Sequence, residues 1–106
     1  MNQVVFSPKA QADLDEIWEY ISGKLMNPSA AESTVNGILD TADMLREQAG
    51  IGKPLYFSSG LYSGYRYLIY QNYLAFYRVL NDTVFIDRVL YGKRDYMRLL
   101  FRNPDE

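Results

Sequence analysis

The sequence predicts an α+β domain: an antiparallel four-stranded sheet in the order β-α-α-β-β-β, packed by a two-helix hairpin and followed by a short C-terminal helix. Three observations carry this. Residues 65–91 fall into three runs rich in β-branched and aromatic side chains, Tyr65–Tyr70, Tyr73–Leu80 and Thr83–Tyr91, separated only by Gln71-Asn72 and Asn81-Asp82. Residues 8–50 instead repeat their apolar side chains at helical spacing, in two stretches with a short break between them. The length, 106 residues, is that of one domain, taken as 1–106.

Asn2 to Phe6 is a short apolar run and gives the first strand. Ser7-Pro8 starts a helix, with Ser7 as cap and Pro8 in the first turn, where its missing N–H costs little. Leu14, Ile17, Trp18, Ile21 and Leu25 then form an apolar stripe, with Asp13, Asp15, Glu16 and Glu19 between them. Trp18 lies in the stripe and is assigned to the core. A second helix begins near Asn27-Pro28, capped by Asn27 or by the Ser29/Glu32 capping-box pair. It buries Ala31, Val35, Ile38, Leu39, Ala42 and Leu45 and ends at Gly50 and Gly52. Lys53–Gly64, rich in Gly, Ser and Tyr, is read as a loop.

The three runs that follow form a meander, because Asn and Asp tolerate the left-handed conformations of two-residue hairpin turns. With both turns that short, Arg66, Leu68, Tyr70, Ala75, Tyr77, Val79, Val84, Ile86, Arg88 and Leu90 share one face. Tyr65, Tyr67, Ile69, Leu74, Phe76, Arg78, Phe85, Asp87, Val89 and Tyr91 share the other. Both are largely apolar, so both require a cover. The helix hairpin supplies one, and the apolar tail Tyr96–Phe101 partly supplies the second. Arg102 to Glu106 is expected to fray.

Chemistry is constrained by what is missing. There is no cysteine and no histidine. Disulfides, thiolate metal sites, the usual zinc sites and histidine-based acid–base catalysis are therefore excluded. No metal and no cofactor is expected. Proton transfer near neutral pH would fall to a carboxylate, Lys or Tyr of shifted pKa. No apolar run approaches the roughly 20 residues of a membrane span, and no secretory leader is evident, so no membrane contact and a cytoplasmic location are expected. The net charge of −2 is uneven: residues 1–50 carry three basic against eight acidic side chains, residues 51–106 eight against five. The sheet half is the basic half, which marks a partner surface.

Three segments, in order, carry a resemblance. S-P-K-A-Q-A-D-L-D-E-I-W-E-Y-I (Ser7–Ile21), Y-R-Y-L-I-Y-Q-N-Y-L-A-F-Y-R-V (Tyr65–Val79) and R-V-L-Y-G-K-R-D-Y (Arg88–Tyr96) resemble the RelE/ParE superfamily of toxins from bacterial type II toxin–antitoxin modules. The resemblance implies a growth-arresting toxin, of the kind met in plasmid stabilisation, silenced by a cognate antitoxin. Its target is either DNA gyrase, as in the ParE type, or the ribosome with mRNA in its A site, as in the RelE type, an endoribonuclease.

Placing the RelE-type G-K-R on Gly92-Lys93-Arg94 makes Arg94 the catalytic arginine, if the chain is a nuclease. The two sheet lysines of that type are then replaced by Tyr65 and Tyr67, its sheet arginine by Leu74 and its late tyrosine by Leu100. These replacements favour inhibition of gyrase, with mRNA cleavage as the alternative, because phosphate binding rests on Lys and Arg. The residues expected to meet target or antitoxin are Tyr65, Arg66, Tyr67, Arg78, Tyr91, Lys93, Arg94 and Tyr96. Arg78 and Arg88 also have Asp87 or Asp82 as possible structural partners.

Overall fold

The computed structural model describes residues 1–101; the expectation for Arg102 to Glu106 lies outside them. Strand β1 (Gln3–Phe6) runs into α1 (Pro8–Glu19), whose first turn is capped as the sequence suggests, with the Ser7 hydroxyl accepting from the Ala10 N–H at 3.0 Å. One turn of wider π-helix, Tyr20–Lys24, ends that helix. Asn27, rather than Ser29, caps α2 (Pro28–Asp43) by accepting from the Ala30 N–H at 3.1 Å. Then come β2 (Lys53–Tyr56), β3 (Tyr62–Tyr70), β4 (Tyr73–Leu80), β5 (Thr83–Tyr91) and α3 (Tyr96–Phe101).

The α+β class and the two-helix cover stand, but the sheet has five strands, ordered β1-β5-β4-β3-β2, and is mixed. Two corrections make the difference. First, β1 lies parallel to β5, because the helix hairpin carries the chain across the sheet before it returns. Second, part of the segment read as a loop, Lys53–Tyr56, pairs antiparallel with β3 as an edge strand. Pro54 obscured it, since proline is tolerated in a sheet only at an edge or a bulge. Both meander turns are two residues long, with Gln71 at φ +52° and Asn81 at φ +55°.

The register of β3 on β4 is the one expected, and β5 starts in register with Leu80 opposite Thr83. It then slips. Tyr77 faces Ile86 but Phe76 faces Arg88, leaving Asp87 without a partner as the extra residue of a β-bulge. Beyond it the faces exchange: Val89 joins the core under the helices and Leu90 the core on the other side, the reverse of the expectation. Tyr91 likewise turns toward the helices, beside Tyr73.

The sheet is thus covered on both faces. Under the hairpin, Ile17, Ile21, Ile38 and Leu45 pack on Ala75, Tyr77, Val84, Ile86 and Val89. Ala10, Ala31 and Ala42 are fully buried, so the helices approach the sheet and one another closely. On the other face Leu55, Phe76 and Leu90 are buried beneath Tyr96, Met97, Leu99 and Leu100 of α3. Two glycines fit the layers together. The Tyr70 ring stands where a Cβ on Gly37 would be, and Tyr77 stands within 2.5 Å of one on Gly52.

Trp18 and Leu25 do not join the core; they are 40% and 55% exposed. The inward stripe of α1 runs through Ala10, Asp13 and Ile17, one position off Trp18, and the wider π turn rotates Leu25 outward. Among the described residues no helix is long and apolar enough to cross a membrane.

Candidate functional site

The bulge sets out most of the charged groups in the sheet. Asp13, buried on α1, accepts from Arg88 Nε at 2.8 Å and Arg88 Nη2 at 2.9 Å, and its Oδ2 also accepts from the Val89 N–H at 2.9 Å. The partner of Arg88 is therefore Asp13, not Asp87 or Asp82. On the opposite face Asp87 Oδ2 accepts from Arg78 Nε and from the Tyr65 hydroxyl, both at 2.8 Å. The Arg78 guanidinium lies 4.6 Å from the centre of the Phe85 ring. The two carboxylates grip the bulge from its two sides, and the Ser7 hydroxyl donates to the Asp87 carbonyl at 2.9 Å.

Arg66 is held as well. It points under the helices, and its Nη1 donates to the Gly52 carbonyl at 2.9 Å. The same loop is tied by the fully buried Tyr77, whose hydroxyl accepts from the Gly52 N–H at 2.9 Å and donates to the Ala49 carbonyl at 2.8 Å. Arg66, Arg78 and Arg88 thus each have a protein partner, on different sides of the sheet.

The tyrosines divide too. Tyr65, Tyr67 and Tyr96 line the second core: Tyr67 and Tyr96 lie 5.8 Å and 5.2 Å from Phe76, and Tyr65 lies 5.7 Å from Phe101, measured between ring centres. Tyr91, Lys93 and Arg94 gather instead at the end of β5, beside the β3–β4 turn, where the Gly92 N–H donates to the Asn72 carbonyl at 2.8 Å. Tyr91 and Arg94 line an open cleft of about 700 Å³ between this turn and the end of the helix hairpin. Lys93 borders a smaller hollow with Leu74 and Asn72. Lys93 and Arg94 are exposed and form no ion pair among the described residues. The eight residues named from sequence therefore occupy three places, not one.

The cleft also draws on Glu16, Tyr20, Thr34 and Tyr73, none of them singled out from sequence. Tyr20 carries the only available signal, falling off the apolar stripe of its own helix. Nothing in linear spacing places it near Tyr73 or Tyr91.

Three phenols are harder to ionise than an ordinary tyrosine. Tyr65 is pushed up to about 12, first by burial and then by its hydrogen bond to Asp87 and that carboxylate's charge. Burial raises Tyr73 and Tyr77 as well. Phenols of the unfolded chain ionise near pH ~10, so above that pH the folded state holds more protons. This part of the stability is complete below the unfolded value and is lost as pH rises through the folded ones. Spectroscopic titration should show late-ionising phenols beyond the main transition, and Tyr65→Phe should remove the latest. All ten tyrosines ionising together would contradict this.

Similarity to known proteins agrees with the fold. A family model described as ParE toxin of type II toxin-antitoxin system, parDE, matches residues 4–96. Toxin ParE1 of Caulobacter vibrioides is 35% identical over 73 residues, which cover 69% of this chain and 72% of that protein. A structure described as the chromosomal ParDE TA system from P. aeruginosa superposes with a TM-score of 0.76 at 27% identity, over 88% of this chain and 98% of that one. The toxin–antitoxin complex RelBE2 of Mycobacterium tuberculosis superposes with a TM-score of 0.56 at 24% identity, over 85% of this chain and 90% of that one, a likeness of fold alone. With the helix hairpin, the sheet and the end of β5 all inside the matched span, the chain belongs to the ParE toxin family of type II toxin–antitoxin systems, the ParE rather than the RelE branch of the superfamily.

Proposed function

We propose that the chain arrests bacterial growth by binding DNA gyrase and is silenced by a cognate antitoxin that covers its surface. Beyond family membership, one observation carries the choice of target: Arg66, Arg78 and Arg88 are occupied by Gly52, Asp87 and Asp13. An RNA backbone needs a row of cations free to meet phosphate. Among the described residues Lys93 and Arg94 at the end of β5 and Lys53 on the edge strand β2 are without an ion pair, and they do not form such a row along the sheet. Aromatic and apolar groups with a few cations at the rim suit a protein partner better.

Inducing the chain alone in bacteria should stop growth, and co-expressing the small gene beside it should restore growth. Messages from the arrested cells should show no codon-dependent cuts by primer extension. The alternative, a ribosome-dependent endoribonuclease, rests on Arg94. Cuts that appear on induction and vanish in Arg94→Ala would establish it.

A further inference from the structure

Helix α3 covers the second face of the sheet only around Leu55, Phe76 and Leu90. Toward β1 that face stays open among the described residues. Val5, Phe85 and Arg78 lie side by side there on β1, β5 and β4, with Leu80 at the end of β4. Val5 and Leu80 are 41% and 58% exposed, and the Arg78 side chain 46%. A long side chain so exposed ordinarily moves among many rotamers, and a binding partner must stop that motion at a cost.

Arg78 is already fixed. Its guanidinium lies 4.6 Å from the centre of the Phe85 ring, and its Nε donates to Asp87 Oδ2 at 2.8 Å. The Tyr65 hydroxyl holds the same carboxylate in turn, so neither charged group is free to swing. The bulge makes this arrangement possible, because Asp87 is the extra residue of β5 that has no partner on β4. Nη1 and Nη2 of Arg78 form no hydrogen bond among the described residues.

An arginine stacked on a ring, with two nitrogens still able to donate and exposed aliphatic groups beside it, has the make-up of an interface anchor. Two features define the partner. Asp87 cancels the charge of Arg78, so the patch exerts little long-range pull on a nucleic-acid backbone. The patch is also a sheet face, whereas an isolated helix or strand docks in a groove or along a free edge. What fits is the folded surface of a protein, apolar and carrying oxygen acceptors for the two Nη groups.

We infer that this open half of the sheet is where the chain meets gyrase, with Arg78, held in place by Phe85 and Asp87, as the anchor. The inference rests on the reading that gyrase is the target, and adds to it a surface and an anchoring residue.

The test is surface plasmon resonance of the purified chain on purified gyrase without DNA, beside calorimetric titration with the purified product of the small neighbouring gene. Arg78→Gln should weaken gyrase binding about 10- to 100-fold, the loss expected for an anchoring arginine. Arg78→Lys should weaken it nearly as much, since an ammonium keeps the charge but neither the planar stack nor the fork. Phe85→Leu should weaken it by about 10-fold at most. Arg46→Gln, which alters another arginine paired with an aspartate, just after α2, should change nothing. Each variant should bind the antitoxin as the unaltered chain does, which also shows that it is folded. Affinity for gyrase should change less than about 10-fold between about 50 and about 200 mM salt.

Gyrase binding by Arg78→Gln within about twofold of the unaltered chain would overturn the inference and leave the gyrase reading standing. No gyrase binding by the unaltered chain would overturn both. Full recovery in Arg78→Lys, or a steep fall with salt, would reduce the arginine to a simple charge and overturn the inference. Loss of antitoxin binding in an Arg78→Gln chain that still melts with the unaltered one would give the face to the antitoxin and overturn it too.

Discussion

Replacing Asp13 by alanine is expected to cost about 3–5 kcal/mol, the usual penalty for removing one member of a buried ion pair. Three donors lose their acceptor at once: two on Arg88, whose side chain is only 17% exposed, and the Val89 N–H. Set against a total stability of about 5–15 kcal/mol for a domain of this size, that is a large share. The melting temperature should fall by on the order of 15 °C. Asp13→Leu combined with Arg88→Met should be milder than Asp13→Ala, because no buried charge is then left alone. Thermal unfolding followed by circular dichroism decides both points. A single variant melting within a few degrees of the unaltered chain would show that the bulge does not depend on this carboxylate.

Phe76→Ala should be as costly, about 3–5 kcal/mol, since the ring is fully buried at the centre of the second core. Its effect should also be local. Helix α3 is six residues long, too short to persist without its packing. It is seated on Phe76 through Tyr96, at 5.2 Å. Hydrogen exchange should therefore show the amides of α3 losing protection even under conditions where α1 keeps its own. Equal loss across both helices would mean that the second core has no separate stability.

How much of this was legible in the residues follows from the strength of each local signal. Ser7-Pro8, Asn27-Pro28 and the pairs Gln71-Asn72 and Asn81-Asp82 place element boundaries through backbone chemistry that no tertiary contact overrides. Strand β2 was not legible, because four residues containing Pro54 carry no periodicity. The bulge at Asp87 was hidden for a different reason. Val89, Leu90 and Tyr91 are apolar or aromatic whichever way they point, so a one-residue slip leaves no mark on the pattern.

The site suffered from that slip directly. Unbroken alternation puts Tyr91 on the face of Tyr65 and Tyr67, whereas the bulge turns it toward Tyr73 and the cleft. In the sequence Asp13 is one of four acids set between the apolar positions of α1, and its burial depends on Arg88, 75 positions away. The apolar spacing of α1 points Trp18 inward, but the helix turns its Ala10, Asp13 and Ile17 face to the sheet and leaves Trp18 40% exposed. Arg94 was legible from its neighbours Gly92 and Lys93, but the tyrosines around it come from elements that meet only when the sheet closes.

The choice between a protein target and an RNA target comes down to purified gyrase. Added to a supercoiling reaction, the chain should inhibit the enzyme in a concentration-dependent way, the neighbouring antitoxin should restore it, and messages in a parallel translation reaction should stay intact. Unimpaired supercoiling together with cut messages would contradict a molecule that works by gripping a protein.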